Sequence, residues 1–168
     1  MIRELEGRIW KLGDDIDTDI IIPTQYLALE TVEEMKEYAF SPLRKGFARL
    51  FREGDIIVAG KNFGCGSSRE QAPEIISALG VKCVVAQSFA RIFFRNGINN
   101  GLLLIESPEL YNQCVEGDTI RVKLNEHIIY DGKTFVIGKI PENLLTIIEN
   151  GGLVKSLARK NKAAEVKA

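Results

Sequence analysis

The runs "GDIIVAG" (residues 54–60), "VKCVVAQ" (81–87) and "LLLIE" (102–106) are short and apolar, without the polar alternation of a strand exposed on one face. Such runs read as strands buried on both sides, the condition of a parallel sheet covered by helices. Between them lie two stretches with helical punctuation, residues 68–79 stopped by Gly80 and "SFARIFFRNGINNG" closed by Gly101. The order strand, helix, strand, helix, strand predicts a parallel core and an α/β fold.

The flanks are more mixed. "LEGRIWKLGDDIDTDIIIP" predicts a strand through Ile9 and Trp10, an aspartate-rich loop, and a second apolar stretch stopped by Pro23. Thr31, three residues before Glu34, predicts a capping box and a short helix, and Pro42 predicts another helix through "LRKGFARLF". After Gly117, "GDTIRVKL" and "HIIYDGKTFVI" predict strands, with a hairpin turning at Asp131-Gly132. Pro141 opens a final helix broken near Gly151-Gly152, and residues 160–168 are expected to form a frayed tail. With 168 residues and no internal repeat, the chain is expected to be one domain spanning 1–168.

Composition matters here for what it excludes. Lys plus Arg (22) and Asp plus Glu (23) nearly balance, so no nucleic acid or anionic membrane is expected as partner and any anion binding must be local. The opening "MIRELEGRIW" has no apolar signal core and no run approaches 18 apolar residues, which predicts a soluble, cytoplasmic protein. Cys65, Cys83 and Cys114 are widely spaced and odd in number, which predicts neither a disulfide framework nor a metal site on this chain; Cys83 reads as core.

The chemistry concentrates in "NFGCGSSREQAP" (62–73). Ser67 with Glu70, and Ser68 with Gln71, both fit the capping-box spacing, so a helix start explains them. Gly64 and Gly66 suggest positive φ angles and close approach of a ligand to backbone, and a helix N-terminus behind them offers free N–H groups. The spacing is not that of a Walker loop, and Arg69 brings a planar fork suited to a carboxylate. Capping and small-carboxylate binding both remain open on these residues. Pro73 predicts a distorted first turn. With no G-x-S-x-G elbow and His127 as the sole histidine, in a strand, a lone serine-hydrolase triad is not expected.

Two other stretches stand out. In "DDIDTD" the EF-hand glycine and glutamate are missing, so calcium is not expected; Asp17 and Asp19 share one side if extended, where a carboxylate can orient a histidine or a water. Arg91 and Arg95 lie four apart on one helix face, with Phe89, Ile92, Phe93 and Phe94 covering much of the rest, as in an amphipathic core helix.

Taken together, "DDIDTDIIIP", "NFGCGSSREQAP", "SFARIFFRNGINNGL" and "NGGLVKSL" resemble the small subunits of isopropylmalate dehydratase and related aconitase-type hydro-lyases, over residues 7 to about 157. The resemblance implies a swivelling β/β/α domain like the mobile C-terminal domain of aconitase. It further implies activity only with a separate large subunit carrying a [4Fe-4S] cluster, none being bound by this chain. In that setting Ser67 is the base that removes and returns the substrate proton, Ser68 and Arg69 bind substrate carboxylate, and Asp19 supports a catalytic histidine of the large subunit. Relatives acting on tricarboxylates carry Y-L-R-T where this chain has Ala28 and Leu29, an apolar pair suited to an isopropyl group. The implied reaction is interconversion of 2- and 3-isopropylmalate in leucine biosynthesis. Homoaconitate, homocitrate or dimethylmalate as substrate, and a non-catalytic binding module, stand as the alternatives.

Overall fold

The computed structural model describes residues 3–167. Seven strands form one sheet in the order β4-β3-β2-β1-β5-β6-β7. They are β1 (Glu4–Lys11), β2 (Ile56–Ala59), β3 (Cys83–Ala86), β4 (Leu103–Glu106), β5 (Thr119–Lys123), β6 (His127–Tyr130) and β7 (Lys133–Val136). From β1 to β4 neighbours run parallel; from β1 to β7 they run antiparallel. The two halves differ as their sequences require. β2 and β3 are buried at every residue, whereas β5 and β6 alternate, as expected of a sheet with one face covered.

The seam is β1. Its first half, Glu4 to Arg8, pairs with β5, and its second half, Ile9 to Lys11, pairs with β2. Gly7 sits at the changeover, where a Cβ would come within 2.2 Å of the Gly54 carbonyl oxygen. Any side chain there would force the two halves apart.

Helices cover the parallel half: α1 (Thr18–Ile21), α2 (Val32–Met35), α3 (Gln71–Ala78), α4 (Arg91–Asn99), α5 (Leu110–Gln113), α6 (Glu142–Glu149) and α7 (Leu153–Lys167). The Thr31/Glu34 capping box is formed at α2, and the hairpin turns at Asp131 and Gly132 with φ of 48° and 70°. Gly151 and Gly152, both at positive φ, separate α6 from α7. None of the described helices is long and apolar enough to cross a membrane.

Three expectations need correction. The condition under which Asp17 and Asp19 would share one side is not met: Asp17 accepts from Ile20 N–H at 2.9 Å and starts α1, so the two do not project from one side of a strand. No α-helix follows Pro42. Gly46 at φ 70° leads instead into a 3-10 turn, Phe47–Leu50, because Phe47 and Phe51 must both reach Trp10 while packing on Phe40, in one aromatic cluster with ring centroids 5.1 to 6.2 Å apart. Finally, residues 160–167 continue α7 as helix, in which only Ser156 is buried. The run "RKNKAAEVK" contains good helix formers and no breaker, so it propagates what 153–159 begins.

Beneath the aromatic cluster lies a buried carboxylate. Asp55, with a side chain only 5% exposed, accepts from Arg8 Nη2 (2.7 Å), Trp10 Nε1 (2.7 Å) and Arg52 N–H (2.8 Å). Burial pushes its carboxyl up, but hydrogen bonds from Arg8, the Arg52 backbone and Trp10, with the Arg8 charge, outweigh that and hold it below the usual carboxylate range. A carboxylate depressed in the fold stabilises fully above its unfolded pKa and loses that contribution as pH falls through its folded pKa. Asp55→Asn is therefore expected to cost about 2 to 4 kcal/mol at neutral pH. Denaturant titrations at neutral pH and near pH 3 check this, since the gap between wild type and variant must shrink in acid.

Candidate active site

Loops leaving the carboxyl ends of β1, β2 and β3 meet at one edge of the sheet, where open α/β sheets bind ligands. They are tied by backbone hydrogen bonds. Gly64 N–H donates to Ile16 O (2.7 Å), Thr18 N–H to Cys65 O (2.9 Å), Phe63 N–H to Ser88 O (3.0 Å) and Ala90 N–H to Phe63 O (3.0 Å). Side chains from the aspartate loop add to this: Asp14 accepts from Lys61 N–H (2.7 Å) and Asp15 from Asn62 Nδ2 (3.1 Å).

Gly64, at φ 82°, is also pressed against Phe93, whose Cγ would lie 2.1 Å from an added Cβ. Backbone and packing thus both demand glycine. Below it Phe63 meets Phe89 and Phe93 edge-on, at 6.0 and 5.4 Å between centroids, which gives the loop an aromatic floor.

Above this floor is a cleft of about 210 Å³ lined by Thr18, Gly64, Gly66, Ser67, Ser68 and Arg69 from one side and by residues 90–93 and Asn96 from the other. The structure separates the two readings of the serines. α3 begins at Gln71, not Ser68, with Glu70 as N-cap and no side-chain cap. Pro73 explains the late start: as the third residue its missing N–H falls where no intrahelical acceptor exists, so the expected distortion is avoided. Neither capping box forms. Thr18 Oγ1 donates to the Ser67 carbonyl (2.7 Å), and Ser68 Oγ accepts from Asn96 Nδ2 at 3.4 Å.

The helix N-terminus at the serines is that of α4, which the sequence did not indicate. Its N-cap, Ala90, has no capping side chain, and Phe94 N–H makes the first intrahelical bond, to Ala90 O (2.9 Å). The N–H groups of Arg91, Ile92 and Phe93 therefore lack intrahelical acceptors at the wall of the cleft, where the helix dipole favours negative charge.

Arg69 and Asp19 are brought together. Arg69, 12% exposed, donates through Nη1 to Ile22 O (2.9 Å) and through Nη2 to Thr24 Oγ1 (3.2 Å), and it is ion-paired with Asp19, whose side chain remains largely open to solvent. The guanidinium thus fixes the segment after α1 against the serine loop. That segment continues into a 3-10 turn, Thr24–Ala28, where Tyr26 stacks on Tyr38 at 3.9 Å. Ala28 is exposed, Leu29 packs partly on the core, and neither lines the cleft.

Cys65 lies in the same loop, half-buried. Burial pushes its thiol up, and the charges of Asp17 and Asp15 add to that, so it is a thiol and not a thiolate at neutral pH. Cys83 is pushed up to about 12 by burial alone. Among the described residues no three of His, Cys, Asp and Glu come together in a group that could hold a metal. The donors on this chain do not fit an iron-sulfur cluster, which requires clustered thiolates.

Fold and site define an α/β domain with a serine- and arginine-lined cleft at the carboxyl edge of its parallel strands. The family model of the aconitase C-terminal domain matches residues 20–110. A 3-isopropylmalate dehydratase small subunit of Lachnospira eligens is 63% identical over 161 residues, covering 96% of this chain and 98% of that one. Its counterpart in Heliobacterium modesticaldum is 47% identical over 167 residues, covering 98% and 99%. A solved structure of 3-isopropylmalate dehydratase from Methanocaldococcus jannaschii superposes with a TM-score of 0.92 at 39% identity, over 98% of this chain and 99% of that one. The chain belongs to the aconitase C-terminal domain family and, within it, to the small subunits of 3-isopropylmalate dehydratase.

Proposed function

We propose that this chain is the proton-transferring half of a hydro-lyase that interconverts 2- and 3-isopropylmalate in leucine biosynthesis, working in the cytoplasm with a separate large subunit. The observation that carries this reading is the placement of two serine hydroxyls and an arginine in one cleft against an uncapped helix N-terminus. The relatives' names as small subunits supply the partner. A [4Fe-4S] cluster, expected from the family, then belongs to the large subunit.

In this reading Ser67 Oγ, as alkoxide, removes the proton from the carbon alpha to one carboxylate while the hydroxyl leaves the adjacent carbon, protonated to water by an acid of the large subunit. The proton then returns to the carbon that lost the hydroxyl as water, giving its proton back to that acid, adds its oxygen to the carbon that lost the proton. The free N–H groups of α4 and the nearby guanidinium lower the cost of its negative charge. Ser68 and Arg69 hold a substrate carboxylate; Arg69 keeps its segment in place while doing so, since a guanidinium carries five donors. Asp19 reaches solvent beyond Arg69 and is the carboxylate that would orient a histidine of the large subunit. Ala28 and Leu29 lie outside the cleft on the turn that Arg69 holds; from there an apolar pair favours an alkyl group of the substrate over a third carboxylate, which it would leave unpaired.

Half a site must be inactive alone. The purified chain is expected to give no turnover of isopropylmalate, and the complex with its iron-loaded large subunit to turn it over faster than homocitrate. Activity of the isolated chain, or a preference for the tricarboxylate, defeats the reading.

A further inference from the structure

A wider cleft, about 560 Å³, adjoins the serine cleft on the other side of Arg91 and is lined by Phe89, Phe94, Arg95, Glu106 and Lys139 as well. Arg91 borders both. Three cations face one carboxylate, and all four of these charged side chains belong to exposed residues. Five of the other arginines, Arg8, Arg44, Arg49, Arg69 and Arg121, each have a carboxylate partner. Among the described residues, Arg91, Arg95 and Lys139 have none. Arg91 and Arg95, four apart on one helix face, repel each other, so the isolated chain keeps this arrangement at a cost. Between them Ile92 is 59% exposed, an apolar side chain at the rim of the serine cleft.

We propose that this cationic cleft and Ile92 form the docking surface for an acidic segment of the large subunit, an inference that rests on the function proposed above. Continuity with the serine cleft argues for that occupant: whatever closes over Ser67 and Ser68 meets Arg91 and Ile92 first. Charge complementarity gives its chemistry, carboxylates for the three cations and an apolar side chain for Ile92 and the exposed edges of Phe89 and Phe94. A free small anion gains little here, because exposed charges are screened by salt, whereas a protein surface excludes the water between them.

The test is the Kd between this chain and the iron-loaded large subunit, measured at low and high salt for wild type, Arg95→Glu, Lys139→Glu and the double variant. Both residues lie outside the serine cleft. The double variant, its fold checked by circular dichroism, is expected to bind at least about tenfold more weakly at low salt and to lose most of the salt dependence. Its kcat should return to the wild-type value once the small subunit is in excess. Unchanged Kd and salt slope overturn the proposal, as does an effect confined to KM for isopropylmalate, which would make the cleft a small-anion site. If wild type forms no complex at all, the underlying function falls with it; a normal wild-type complex with unaffected variants removes only the docking surface.

Discussion

Ser67→Ala is expected to lower kcat of the reconstituted complex by about 100-fold to 10,000-fold, the loss typical of a positioned proton-transfer group. The structure makes this a clean experiment. The Ser67 hydroxyl caps no helix, and the hydrogen bond that holds the residue runs from Thr18 Oγ1 to its backbone carbonyl, which alanine keeps. Stability should therefore change by no more than about 0.5 kcal/mol. Ser68→Ala is the companion variant: it loses the contact from Asn96 and, in the proposed role, a hydrogen bond to the substrate carboxylate, so KM should rise more than kcat falls. Rate, thermal midpoint and iron content need to be measured on the same samples. A Ser67→Ala complex that is folded, iron-loaded and still turns over near the wild-type rate places the base elsewhere.

Arg69→Lys should also lower kcat/KM, by less, although it preserves charge. One ammonium cannot reach Ile22 O, Thr24 Oγ1 and Asp19 together from the position of a planar fork. Charge-assisted hydrogen bonds contribute about 1.5 to 3 kcal/mol each, so losing one in the transition state lowers kcat/KM by roughly 10-fold to 100-fold. The folded state should also lose about 1 to 3 kcal/mol, because the segment after α1 is no longer held. The two effects part company in a double measurement. Near-native kcat/KM together with lowered stability would leave Arg69 as a strut and remove it from substrate binding.

Much of the parallel half was legible because its evidence is local. Residues 54–60, 81–87 and 102–106 have to be buried on both faces, and Gly80 and Gly101 end the intervening helices where a left-handed residue is needed. The site was legible as a set of residues but not as an arrangement. Ser67 and Ser68 match a capping pattern that Pro73 displaces to Gln71, and sequence spacing cannot weigh those two signals. The α4 N-terminus lies more than twenty residues beyond the serines and carries no capping side chain, so no motif announces it. The pairing of Arg69 with Asp19 and the dual pairing of β1 are likewise decided by tertiary packing. The 3-10 turn at Phe47–Leu50 follows the same rule: its aromatic side chains answer to Trp10 and not to the local helical pattern.

The backbone hydrogen bonds that join residues 13–18, 60–65 and 88–90 have a consequence for assembly. Loops that meet a partner usually lose conformational entropy when they do so, and that loss weakens the complex. Here the serine loop has already been ordered by folding of the chain itself, held by its neighbours on both sides and by glycines that admit no alternative packing. A large subunit closing on it would encounter a surface already in its folded shape, so that association and the positioning of Ser67 need not be consecutive events.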